Sequence, residues 1–100
     1  MHQARSQFGV PIRLTSERWE HISQNHPEVA GYLYDVLATL ETPEEIRAGT
    51  HDARIAIRDV QPGKVLAVVY KETSPDDGFV ITAFFTRELK WLQKKAKIWP

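Results

Sequence analysis

"ARIAIRDVQPGKVLAVVYKETSPDDGFVITAFFT", residues 53–86, contains three apolar runs separated by "QPG" and "TSPDDG". β-Branched and aromatic residues dominate the runs, and Pro, Gly and Asp punctuate them, so the stretch reads as a three-stranded antiparallel meander. An even loop around Pro62–Gly63 pairs Ile57 with Val68 and Arg54 with Lys71. One face then holds Ile55, Ile57, Leu66, Val68 and Tyr70, joined by Ile81, Ala83 and Phe85 in one of the third strand's two registers. The other collects Arg54, Arg58, Lys71, Thr82 and Thr86. Like charges directly opposite destabilise a strand pair by up to about 1 kcal/mol, and a phosphate shared by Arg54 and Lys71 would relieve that repulsion. Side chains splayed into water relieve it equally well, and an odd loop would set Arg54 against Tyr70 instead.

The pattern before residue 50 is helical. Residues 1–9 read as a loose arm, and "VPIRL" (10–14) as a short edge strand. Thr15 is the expected N-cap of a first helix, with Leu14 and Trp19 as its hydrophobic staple. Pro27 disfavours helical geometry at His26, so this helix stops by about Asn25, and Pro27 suits the first position of a second. Val29, Tyr32, Leu33, Val36, Leu37 and Leu40 form the apolar stripe of that second helix. "TPEE" (42–45) reads as a capping box for one further turn. At the other end, "RELKWLQKKAKIWP" reads as a basic helix with Leu89, Leu92 and Ala96 inward and Lys90, Lys94, Lys95 and Lys97 outward. The expected architecture is therefore α+β: N-terminal helices packed on a three- to four-stranded antiparallel sheet, with a C-terminal basic helix.

One hundred residues suffice for a single domain, and 42% hydrophobic with 26% charged residues is a globular composition. Cysteine is absent, which removes disulfides, thiolate metal sites and cysteine nucleophiles and suits a cytoplasmic protein. No run of about 18 apolar residues exists to cross a membrane, and "MHQARSQFGV" lacks the apolar segment of a signal peptide. Zero net charge conceals segregation. Residues 16–45 set seven acids against Arg18, a net −6, and the remainder sets twelve basic side chains against six acidic ones, a net +6. A neutral chain can thus present a basic face.

The chemistry-bearing residues are few. In "EHISQNHPEV" (20–29), His21 and His26 are five apart, which is not a same-face helical spacing. Each taken alone reads more readily as a surface or capping imidazole. The bend at Pro27 can instead carry both to the sheet, where imidazole serves as acid or base near neutral pH. His51 reads as a loop residue. No HxxxH or HxH spacing supports a metal site, and no cofactor motif is present. Histidines with Arg, Lys and a threonine hydroxyl can support RNA cleavage without a metal: a base for the 2′-hydroxyl, an acid for the 5′-oxygen, and cations for the phosphate.

"RLTSERWEHISQNHPEV", "VLATLETPEEI", "VLAVVY" and "FVITAFFT" together resemble a family of small phage-associated nuclease-like domains. That family is placed in the barnase–EndoU–colicin–RelE group, and the resemblance spans residues 12–92. It implies a metal-independent ribonuclease-type site carried by His21, His26, Arg54 or Arg58, and Thr82. The pairing argument adds Lys71, and the basic helix adds Lys90, Lys94 and Lys95 as substrate-binding groups. RNA is the expected partner. The resemblance leaves an antitoxin-like protein open, and the aromatic residues Phe79, Phe84, Trp91 and Trp99 leave a homodimer open. The alternative is a non-catalytic RNA- or protein-binding module.

Overall fold

The two-residue turn at Pro62–Gly63 forms as expected, with Gly63 in the left-handed conformation at φ 77°. The pairing above it differs. The chain is described over residues 1–100 by a computed structural model, in which Gln61 pairs with Lys64 but Asp59 pairs with Val65. Val60 is the extra residue of a β-bulge, and it moves every later pair by one. Arg54 consequently faces Tyr70, Ala56 faces Val68 and Ile57 faces Ala67. A one-residue slip sends each side chain to the other face, so the expected Arg54–Lys71 and Ile57–Val68 pairs do not form.

The strands are β1 (His2–Arg5), β2 (Pro11–Leu14), β3 (Glu45–Ala48), β4 (Arg54–Gln61), β5 (Lys64–Ser74), β6 (Asp77–Thr86) and β7 (Lys97–Trp99). The helices are α1 (Ser16–Asn25), α2 (Leu33–Glu41) and α3 (Leu89–Gln93), with a single 3₁₀ turn at Pro27–Val29. All seven strands join one sheet in the order β1-β2-β6-β5-β4-β3-β7, mixed because β2 runs parallel to β6. The expectation of a three- to four-stranded antiparallel sheet closed by a C-terminal helix is therefore wrong.

Each misread segment has a local cause. Residues 2–5 are no loose arm, because they pair with Pro11–Leu14 and bury Ala4. The second helix begins at Leu33 rather than Pro27, and the intervening residues form the 3₁₀ turn with Val29 buried. "TPEE" leads into a strand. Ile46 is fully buried between β4 and β7, and Glu44 serves β4 instead of capping a helix, donating its N–H to the Ile57 carbonyl and accepting from the Asp59 N–H. The C-terminal helix is cut to five residues. Arg47 donates to the carbonyls of Gln93 and Lys95, and Ala48 N–H donates to Ala96, so those acceptors are used across the sheet rather than along a helix. Ala96 is exposed and Lys97 belongs to β7.

Both sheet faces are partly covered. α1 and α2 bury Ile22, Val36 and Leu40 against Ile12, Leu14, Ala56, Leu66, Val68, Tyr70, Val80 and Ala83. On the opposite face α3 sets Leu92 against Ile55, Ile57, Val65 and Ala67. Thr15 caps α1 by accepting from the Arg18 N–H at 3.0 Å. No helix is long and apolar enough to cross a membrane.

Gly78 joins the N-terminal hairpin to the meander. A Cβ there would lie 2.5 Å from the Lys71 carbonyl oxygen and 2.6 Å from Ile12 Cδ1. Gly78→Ala is therefore expected to destabilise the chain by about 1–3 kcal/mol, the usual range for overpacking, as read by urea denaturation.

Candidate functional site

The Val60 bulge separates the residues that the sequence had grouped. Lys71 and Thr82 share the face of β5 and β6 that also carries Val69, Phe79 and Phe84, since Thr82 pairs with Val69 and Lys71 with Phe79. Arg54 and Arg58 share the opposite face with Tyr70 and Leu66. The expected cluster of Arg54, Arg58, Lys71 and Thr82 on one surface does not assemble.

Arg54 has other work. Its guanidinium donates to Glu72 Oε1 at 2.9 Å and lies 4.8 Å from the Phe8 ring centroid, while Ser6 Oγ donates to Glu72 Oε2 at 2.6 Å. This cluster fastens the β1–β2 loop to β5. Tyr70 is buried beside it with its hydroxyl unpartnered, and burial first, then the Glu72 charge, pushes its pKa up to about 12. Arg58 is exposed near Tyr32, Asp35, Asp59 and Phe85, at a hollow under α2.

The histidines come to β6 from α1. His26 caps the helix: its N–H donates to the Ile22 carbonyl at 2.8 Å, and Pro27 then turns the chain. Its half-buried ring lies 5.7 Å from the Phe84 ring, with Nδ1 3.7 Å from Glu28 Oε2. At the other end of the helix, Arg18 and Thr15 line a hollow of about 220 Å³ with Arg13, Phe79 and Val80. The same two residues line an adjoining hollow of about 370 Å³ with Glu17 and His21. His21 is exposed, and its Nε2 accepts from Asn25 at 3.0 Å in the Nδ1–H tautomer. α1 thus flanks β6 from Phe79 to Phe84, with Thr82 between those contacts. α1 buries Ile22 on the sheet face of Tyr70 and Val80, so it reaches the Phe84 face only past the edge of β6, through His26 at one end and Arg18 at the other. His21 lines the adjoining outer hollow, which no β6 residue enters. Along this α1–β6 groove Arg18 and Lys71 are cations free of ion pairs.

Arg13 and Arg18 are the cations that the sequence reading passed over. Arg13 on β2 pairs in register with Phe79 and makes a bidentate ion pair with Asp77, at 2.8 and 2.9 Å. That hydrogen-bonded guanidinium holds the Asp77 carboxyl below the usual carboxylate range. Arg18 is the third residue after the N-cap and donates its N–H to Thr15, so its position beside β6 was implied by Thr15 once the parallel β2–β6 pairing is known. Nothing in the sequence signals that pairing. His51 lies in the exposed β3–β4 turn at φ 54°, on the β4 side of the sheet. Lys90 and Lys94 are exposed without ion pairs, and Lys95 Nζ lies 4.7 Å from the Trp91 ring centroid. No three His, Asp or Glu side chains converge as a metal-binding group. No family model, curated protein or solved structure matches the chain.

Because the Asp77 pKa is lowered on folding, its pairing with Arg13 stabilises the native state above the ordinary value of 3.8 and is lost as pH falls through the lowered value. The Tm difference between the wild type and Asp77→Asn is expected to be constant from pH 7 to about pH 5 and to shrink below pH 4, measured by thermal melts across that range.

Proposed function

We propose that the chain is an RNA-directed endoribonuclease of the metal-independent type, working in the α1–β6 groove. The observation that carries this reading is the His26 imidazole against Phe84, on the sheet face that also bears Lys71 and Thr82, with Arg18 at the Phe79 end of the same strand and His21 exposed beside Arg18 on α1. One neutral imidazole takes the 2′-hydroxyl proton as that oxygen attacks phosphorus. The other, protonated, gives a proton to the departing 5′-oxygen as the P–O5′ bond breaks, leaving a 2′,3′-cyclic phosphate. Arg18 and Lys71 offset charge on the phosphoryl oxygens, and Thr82 Oγ1 donates to one of them. The order of motifs that resembles the phage-associated nuclease-like family supports the same reading, now with Arg18 taking the part first given to Arg54 or Arg58.

A second reading, an RNA-binding module without chemistry, is favoured by one observation. Arg13 is committed to Asp77, and Arg54 and Arg58 face away, so the groove has only two free strong cations. An antitoxin-like partner or a second copy would fit either reading.

The two readings separate on an RNA oligonucleotide incubated in EDTA. The ribonuclease reading expects a 2′,3′-cyclic phosphate product and a bell-shaped pH profile. His26→Ala should lower the rate by about 10²–10⁴, the usual worth of a general acid or base. Arg18→Ala should also slow cleavage, and Arg58→Ala should stay within about twofold because its side chain lies on the other face. Salt-dependent binding without product selects the binding module, and cleavage only on adding a divalent ion refutes the mechanism.

A further inference from the structure

We propose that Trp91 and Phe84 form a base-stacking platform beside this groove, which makes single-stranded RNA its ligand. The inference rests on the RNA-directed reading above and goes on to name the form of the RNA and the residue that selects it.

The platform is a row of three rings. The His26 ring lies 5.7 Å from Phe84, and Phe84 lies 6.4 Å from Trp91, with interplanar angles of 34° and 48°. Phe84 is half-buried and Trp91 is 43% exposed. The exposure of Trp91 is not forced by a lack of apolar neighbours. On the same short helix Leu92 is 2% exposed, packed against Ile55, Ile57, Val65 and Ala67, and Leu89 packs at the edge of that cluster. α3 therefore spends its leucines on the sheet and leaves its indole in water. An exposed aromatic next to cations is the arrangement with which proteins hold unpaired bases, because every base offers a π-face.

Charge complements the row. Lys95 Nζ sits 4.7 Å from the Trp91 centroid, and Lys90 and Lys94 stand exposed on the same segment. A stacked base takes the place of the Lys95 ammonium, whose flexible stem lets it move to the adjacent phosphate. Lys71 and Thr82 lie on the same sheet face as Phe84. The backbone of one strand can therefore run from the lysines of α3 across the aromatic row towards the imidazoles. Duplex RNA cannot use this surface, because its bases are stacked on one another and its deep groove excludes side chains.

The test uses the full chain and a fluorescein-labelled twelve-nucleotide RNA, 2′-O-methylated so that it cannot be cleaved, alone or annealed to its complement. Anisotropy titrations at fixed salt give the Kd. The single strand should bind at least tenfold more tightly than the duplex. Trp91→Ala should weaken single-strand binding roughly ten- to a hundredfold. Trp91→Phe should restore it to within about threefold, which loss of a merely structural side chain would not require. Unchanged circular dichroism certifies the folding of both variants. Equal affinity for duplex and single strand, or a Trp91→Ala variant that binds like the wild type, overturns the platform. If the wild type still cleaves RNA in that case, the ribonuclease reading survives alone. If the wild type binds neither form, both fall together.

Discussion

The bulge at Val60 governs which side chains meet. A β-strand alternates its side chains between two faces, so a single extra residue reassigns all those that follow. With the bulge, Tyr70, Val68 and Leu66 come under α1 and α2, and Ile55 and Ile57 come under α3. Without it, Arg54 would stand opposite Lys71 and the small Ala56 would leave the helical core for the other face. The bulge therefore replaces a like-charge juxtaposition with the Arg54–Glu72 ion pair and gives both sheet faces an apolar patch. A strand buried at one end on both faces cannot display a simple apolar–polar alternation, and β5 reads accordingly as a nearly unbroken apolar run.

That arrangement divides the cations by task. Arg13, Arg47 and Arg54 hold the sheet together: Arg13 ties β2 to β6, Arg47 ties β3 to the end of α3, and Arg54 ties β4 to β5 and the β1–β2 loop. Arg18, Lys71, Lys90 and Lys94 form no ion pair, and Lys95 touches only an aromatic ring. Acids as well as bases border the α1–β6 groove, since Glu17 lines a hollow with Arg18 and His21, and Glu28 lies 3.7 Å from His26, while the exposed Arg58 stands on the other face.

The legible parts of the chain were those set by local rules. Thr15 as a cap, the stop at Asn25, the apolar face of α2 and the three long strands with their Pro62–Gly63 turn follow from capping, proline geometry and side-chain period. The illegible parts were set by partners distant in sequence. His2–Arg5, Glu45–Ala48 and Lys97–Trp99 are three- or four-residue strands, too short to show a period, and each exists because a neighbour offers a free edge. The candidate residues divided the same way. The bend at Pro27 does bring His26 to β6, and Thr82 and Lys71 do share a face, whereas Arg54 and Arg58 lie on the other face because of a bulge that no turn residue announces. Arg18 could be recognised only from the parallel contact of β2 with β6.

The central claim is that the groove between α1 and β6, and not the face bearing Arg54 and Arg58, meets RNA. Amide and side-chain NMR shifts of the isotope-labelled chain, followed during titration with a 2′-O-methylated single-stranded oligonucleotide, test it most directly. The account expects the largest changes at Arg18, His21, His26, Lys71, Thr82 and Phe84, with Trp91 Nε1–H beside them. Changes centred on Arg54, Arg58 and Tyr32, or none at saturating RNA, would contradict it.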